Sequence, residues 1–214
     1  MNIARPKISK HLPNSTLEEL QRDGELETGT IQDEDAVNFN VEALELTDVV
    51  TDKVIFIGSH FSRVVMRDVI MRQTDTSSAS LDSGHLVRVE FVSCRMTGVD
   101  FNQTVLHDVT FKNCKLDLAN FRQADLRRVA FIDCTLQEAD FARANINNVE
   151  FQTCTLEKTI FDQARCQKLD LRSSELIAIQ GWKSLKGATI DGTQLISAGP
   201  YLAHELGIVV RDES

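Results

Sequence analysis

The chain has 214 residues, a formal net charge of −9, five cysteines and 42% hydrophobic residues. That length suits one domain, and no apolar run approaches the ~18 residues that would suggest a membrane span. Net acidity, without any patch that mixes basic and aromatic side chains, argues against direct nucleic-acid binding.

The chain opens with MNIARPKISKHLPNS. This stretch has no apolar centre and does not read as a secretory signal. Ser15-Thr16-Leu17-Glu18 reads as a capping box and Gly24 as a stop, which predicts a short helix over about 16–22. Residues 1–35 are expected to form an N-terminal segment with this helix as a cap. Residues 14–56 hold 12 acidic and 2 basic side chains, so most of the net charge sits near this end.

A different interval then takes over. Phe111, Leu116, Phe121 and Leu126 are five residues apart. On a helix a step of five turns the side chain by about 140° net, and on a strand it flips the face. Neither element gives such residues a common inside, so the chain must turn a corner every five residues and coil around its own core. The apolar ladder runs through Phe91, Phe101, Phe111, Leu116, Phe121, Leu126, Phe131, Leu136, Phe141, Phe151, Leu156 and Phe161. A second, smaller series lies two residues earlier and includes Cys94, Ala119, Val129 and Cys154. The register reaches back to Val41 and weakens at Thr76 and Thr51. No insertion shifts it, so no large loop is expected between Val41 and Leu176.

A longer period sits on top. Cys94, Cys114, Cys134 and Cys154 are twenty apart, and the central Phe residues recur every ten. Four five-residue sides per coil explain both intervals. The Phe columns then occupy two opposite sides, and Leu-type columns the other two. About seven coils between residues 41 and 180 would stack into a rod of about 34 Å at strand spacing.

ANFRQADL (119–126) and ADFARANI (139–146) resemble the pentapeptide-repeat pattern over roughly 36–180. The resemblance implies an all-β fold, a right-handed quadrilateral β-helix, with short helical caps at both ends. It also implies that Asn120, Asp125, Asp140 and Asn145 serve turns by bonding their own backbone.

Catalytic and metal chemistry finds little support. Four thiols stacked at strand spacing spread over some 14 Å, too far to share one zinc. Cysteine as a small hydrophobe in a narrow interior is the better reading, and it suits a reducing, cytoplasmic setting. His11, His60, His85, His107 and His204 are scattered, and no phosphate loop or nucleophile elbow is present. We therefore expect no catalytic residues, no cofactor and no metal.

The end of the chain, 181–214, departs from the repeat. Asp191-Gly192-Thr193-Gln194 reads as a capping box opening a helix that carries Leu195, Leu202 and Leu206, with Gly207 as its stop. Pro200 should break or kink that helix. An open solenoid end exposes its core and needs a cap. The tail 185–210 also resembles that of Qnr-type quinolone-resistance pentapeptide proteins at Leu185, Gly187, Gln194, Leu206, Gly207 and Ile208. It resembles the mycobacterial fluoroquinolone-resistance protein more loosely. The resemblance implies a homodimer joined end to end through Leu195, Leu202, Leu206 and Ile208. It also implies an acidic rod that mimics DNA and binds DNA gyrase or topoisomerase IV.

The charge pattern limits that implication. Residues 87–176 hold 13 acids and 12 bases. Arg127, Arg128, Arg165 and Lys168 fall on one predicted side, and Glu90, Asp133 and Glu150 on another. These seven are the candidate partner-facing charges. Two readings follow: a rigid, non-enzymatic protein-binding scaffold, or its special case, a topoisomerase-binding DNA mimic.

Overall fold

The computed structural model describes residues 1–211. Every fifth residue from Asp33 to Ala178 has a positive φ, and only Gly58 and Gly98 in that series are glycines. Left-handed backbone crowds the Cβ of an L-residue. Each coil therefore carries four locally unfavourable corners, which contacts between coils must offset. At two corners per coil an i→i+3 hydrogen bond closes the turn, as from the Ala119 amide to the Leu116 carbonyl (3.1 Å) and from the Ala124 amide to the Phe121 carbonyl (3.2 Å). At a third, an eight-residue strand bends without breaking, as β7 (Asp125–Ile132) does at Arg128.

The strands before and after β7 repeat its geometry. They are β3 (Glu45–Asp52), β4 (Val65–Arg72), β5 (His85–Val92), β6 (Val105–Lys112), β8 (Asn145–Gln152) and β10 (Arg165–Asp170). All pair in parallel with a shift of twenty: Leu106 lies against Leu126, and Phe111 against Phe131. Two short strands, β1 (Glu25–Leu26) and β2 (Gly29–Gln32), already pair with β3 in the same register. The rod therefore has about eight turns, one more than the apolar ladder suggests. Single bridges such as Lys115–Thr135 and Asn120–Asp140 hold the remaining sides. A small sheet of β9 (Thr155–Glu157) and β11 (Glu175–Ile177) closes the far end. The fold is a right-handed quadrilateral β-helix, as the sequence implies.

Two columns of aromatic rings fill the centre. Phe111, Phe131 and Phe151 stack in parallel with ring centroids 4.9 and 4.6 Å apart, and Phe101, Phe121 and Phe141 at 5.0 and 4.6 Å. The columns meet edge to face, as Phe121 does with Phe131 at 5.8 Å. Both arrangements suit the aromatic quadrupole. Phe91, Phe161, Leu116, Leu126, Leu136 and Leu156 are fully buried with them.

The cysteine column has a structural cause. Each thiol donates to the carbonyl of a central residue one coil back: Cys94 to Met71 (3.3 Å), Cys114 to Phe91 (3.4 Å), Cys134 to Phe111 (3.4 Å) and Cys154 to Phe131 (3.3 Å). One coil further on, Ser174 Oγ donates to the Phe151 carbonyl (3.0 Å). Position −2 on this side selects a small side chain with a donor, which both Cys and Ser supply. All five cysteines are free, and burial pushes the Cys166 thiol up to about 11.

The Asx expectation divides. Asn120 and Asp140 do accept from backbone amides two residues on, those of Arg122 and Ala142. Asp125 and Asn145 instead begin strands β7 and β8 and bond each other across coils (2.9 Å).

Both ends are capped. Helix α1 (Leu17–Asp23) starts one residue later than its sequence signature suggests. Thr16 and Glu19 form the capping box, because the Ser15 amide already donates to the Thr30 carbonyl in the first coil (2.8 Å). Gly24 stops the helix in the left-handed region, and Leu17 and Leu20 plug the open core. At the other end, a 3-10 turn (Trp182–Leu185) leads to α2 (Gly192–Glu205). Asp191 and Gln194 form the expected capping box, and Gln194 Nε2 also donates to the Leu171 and Ser174 carbonyls (2.6 Å each). Pro200 does not end α2. It lies on the exposed side with Ile196, where a carbonyl without its helical partner can bond water. The helix closes on Gly207, whose amide bonds His204 O (3.0 Å) while that of Ile208 bonds Ala203 O (2.8 Å). This is the Schellman pairing.

Candidate functional surfaces

The acidic segment becomes one end of the rod. Glu18, Asp23, Glu25, Glu27, Asp33, Glu42 and Glu45 are all solvent-exposed on α1 and the first coils. Few bases accompany them: Arg63 pairs with Glu42, Lys53 lies 3.7 Å from Asp33, and Arg22 lies against Asp23. This end presents a concentrated negative field that steers cationic partners.

The side next to it is covered by the chain's own beginning. Residues 1–14 form no ladder with the rod until Asn14 bridges Thr30. They run along the rod axis, across the coils. The amides of Ser9, Lys7 and Ala4 donate in turn to Asp48 (2.8 Å), Asp68 (2.9 Å) and Asp108 (3.2 Å). Ala4 to Lys7 thus crosses two coils in three residues, about 3.2 Å per residue, which is fully extended chain. Ile3, Pro6, Ile8 and Leu12 are half-buried against the rod, while Arg5, Lys7 and Lys10 point to solvent. Asp48, Asp68 and Asp108 occupy left-handed corners of one column. Asp68 is held one coil on by Arg88, and Asp108 by Arg128, each through two contacts of 2.6 Å. The Arg88 and Arg128 guanidiniums keep both carboxyls below the usual carboxylate range.

The seven charges singled out from sequence do not form one patch. Arg128 is committed to Asp108 beside residues 1–14, which form a strap along the rod. Arg127 pairs with Asp125 (3.0 Å), which also contacts His107 Nε2 (3.3 Å). Glu90 and Glu150 line the strapped groove, and Glu150 lies 3.7 Å from the Met1 ammonium. Asp133 is exposed at the next corner, and Arg165 and Lys168 are exposed on β10. Among the described residues, no group of three or more His, Cys, Asp or Glu could hold a metal ion. Nor, among those residues, is any helix long and apolar enough to cross a membrane.

The model of the pentapeptide repeat region matches residues 44–117 and 104–180. The chain belongs to the pentapeptide-repeat family. Two solved structures of trypsin-treated QnrB1, a plasmid-mediated fluoroquinolone resistance protein, have the same fold. One has a TM-score of 0.69 at 22% identity over 88% of this chain and 94% of that one. The other has 0.66 at 21% identity over 86% and 92%. Among curated proteins, none matches the chain.

The far end of this pentapeptide-repeat rod is apolar. Leu195, Ile196, Tyr201, Leu206, Ile208, Val209 and Val210 are exposed on and after α2. Leu202 is half-buried and packs against the core, so of the four tail residues expected at an interface it belongs to the cap. The strap is the feature that sequence reasoning passes over. Its signal is faint but present: Arg5, Lys7 and Lys10 form a basic opening just before the acidic segment, interleaved with Ile3, Pro6 and Ile8.

Proposed function

We propose that this pentapeptide-repeat protein is a rigid, non-enzymatic, cytoplasmic scaffold that binds a protein partner through its acidic N-terminal end. The observation that carries this reading is the cluster of exposed carboxylates on α1 and the first coils, held on a frame with an unbroken twenty-residue register. A stiff frame binds without paying much to order itself, and clustered charge raises the encounter rate. The partner's contact surface is accordingly cationic. The exposed apolar tail supports pairing of two rods at the opposite end, with Leu195, Leu206 and Ile208 in the contact.

A second reading follows from the QnrB1 likeness and the same acidic end: a DNA mimic that binds DNA gyrase or topoisomerase IV. The near-balanced charge of residues 87–176 makes it the narrower case. The test is a gyrase supercoiling assay with and without a fluoroquinolone, beside the variant Glu25→Gln/Asp33→Asn/Glu42→Gln/Glu45→Gln. Inhibition or drug rescue by micromolar wild-type protein, lost in the variant, supports the mimic. No effect on either topoisomerase removes it. The scaffold reading then stands or falls on whether the wild type captures a protein from its own cytosol that the variant does not. For the tail, light scattering should give twice the chain mass, and Leu206→Glu/Ile208→Glu should give the single mass.

A further inference from the structure

The strap changes the sign of the surface it covers. Its amides take up the corner carboxylates of Asp48, Asp68 and Asp108, while its own Arg5 and Lys7 point to solvent above them. The strands beside it follow the same rule. On β4, β5, β6, β7, β8 and β10 no carboxylate is exposed, whereas Arg67, Arg72, Lys112, Arg165 and Lys168 are. Ion pairs account for nearly every acid of this face. Asp68 pairs with Arg88, Asp108 with Arg128, Asp125 with Arg127, Asp170 with Arg172, and Glu150 with the Met1 ammonium. Glu90 is left over, and it is half-buried. Against it stand the five exposed bases of the strands and the two of the strap, none of which enters an ion pair among the described residues. Residues 1–7 and these six strands hold ten bases and six acids, a net of +4 in a chain of −9. The bases converge most closely where Arg5, Arg72 and Lys112 line one groove, which Ile70, Val92 and Ile132 also line.

We infer that the strap and the outer face of these six strands form a cationic docking face for a short acidic segment of a partner protein, centred on Arg5, Arg72 and Lys112. The extent of the face sets the length of the occupant. Five coil spacings separate β4 from β10, about 24 Å, which an extended segment of about seven residues spans. Alternate side chains of such a segment face the rod about 6.6 Å apart, so carboxylates can meet the bases while apolar neighbours enter the groove. A long polyanion fits poorly. Duplex DNA carries a charge about every 1.7 Å and would run on to β3, where Glu45 is exposed and the acidic end begins. Single-stranded nucleic acid needs rings on which its bases stack, and Phe91, Phe111, Phe131 and Phe151 of these strands are all buried. Individual surface pairs are weak, so affinity comes from several bases acting on one segment and falls with salt. The face is separate from the acidic end, and the inference does not rest on the function proposed for that end.

The test uses the full chain and a fluorescein-labelled peptide of four Glu-Leu repeats, followed by anisotropy. The wild type should bind it, and raising salt from about 50 to about 300 mM should weaken binding at least tenfold. Arg5→Gln/Arg72→Gln/Lys112→Gln should also weaken it at least tenfold with an unchanged melting midpoint, since all three residues are exposed and unpaired. Lys183→Gln/Lys186→Gln, at the far end, should bind like the wild type. So should Glu25→Gln/Asp33→Asn/Glu42→Gln/Glu45→Gln, which separates this face from the acidic end. Four results would overturn the inference. Absent binding, or equal binding in the wild type and the Arg5 variant, means the face is no docking site. An equal loss in the Lys183 variant reduces the attraction to total charge. A short DNA duplex bound more tightly than the peptide makes nucleic acid the occupant. A mass increase at low salt, abolished in the Arg5 variant, makes the occupant the acidic end of a second copy.

Discussion

At position 76 the apolar ladder holds a threonine whose hydroxyl is buried without a hydrogen-bond partner. The neighbouring interruption, Thr51, is answered: its hydroxyl lies 3.0 Å from that of Thr74. One departure from the five-residue pattern is therefore satisfied and the other is not. An unpaired buried hydroxyl costs roughly 1–3 kcal/mol, so Thr76→Val, which keeps the shape and removes the polar atom, should stabilise the rod by about 1 kcal/mol. Thr51→Val should be close to neutral, because the Thr74 hydroxyl keeps its own bond to the Arg72 carbonyl (3.1 Å). Chemical denaturation of the two variants checks this, and a loss of stability in Thr76→Val means a partner for the hydroxyl exists. Sequence alone marks both threonines as breaks in the ladder. It cannot tell them apart, because the difference lies in what one coil offers the next.

The coil is the element here, and its stability comes from stacking. Phe131 is fully buried, with parallel rings above and below and perpendicular rings beside it. Phe131→Ala should cost about 3–5 kcal/mol, since the neighbouring coils are fixed by their ladder hydrogen bonds and cannot collapse into the cavity. Gln123 is exposed at a corner, and Gln123→Ala should cost under ~0.5 kcal/mol. Comparable losses for both would mean that the faces are misassigned. The coil was legible because a solenoid writes its geometry into nearest neighbours: an apolar residue every five, a small residue at the Cys114 column, Asx turns at Asn120 and Asp140. The first coil was less legible. There Gly29-Thr30-Ile31-Gln32 pairs with β3 while its neighbours belong to α1 and its capping, so the apolar period is too short to see. The helix start was misplaced by one residue for the same reason, as Ser15 is taken up by the coil. Of the strap only a faint trace was legible, the basic Arg5, Lys7 and Lys10 interleaved with Ile3, Pro6 and Ile8. Its amides seek carboxylates at positions 48, 68 and 108, and nothing local in residues 3–9 encodes that distance.

For the molecule as a whole, these carboxylates set the acid limit of stability. Asp68 and Asp108 are held below the usual range by Arg88 and Arg128, with further help from the strap amides of Lys7 and Ala4. Asp170 is held down by Arg172, and Asp82 by the hydroxyls of Ser62 and Ser80. A carboxyl with a depressed folded pKa stabilises the folded state above its unfolded value, about 3.9, and loses that contribution as pH falls through the folded value. The midpoint of thermal unfolding should therefore hold steady from pH 7 to 5 and fall below about pH 4. Strap and rod should respond together, because protonating Asp68 or Asp108 loosens an inter-coil ion pair and a strap contact at once. Asp68→Asn/Asp108→Asn should lower the plateau and flatten the acid limb, and circular dichroism melts across pH check both parts. An acid limb of unchanged steepness in that variant would place the sensitive carboxyls elsewhere, at Asp82 between the Ser62 and Ser80 hydroxyls and at Asp170 beside Arg172, which are also held below the usual range.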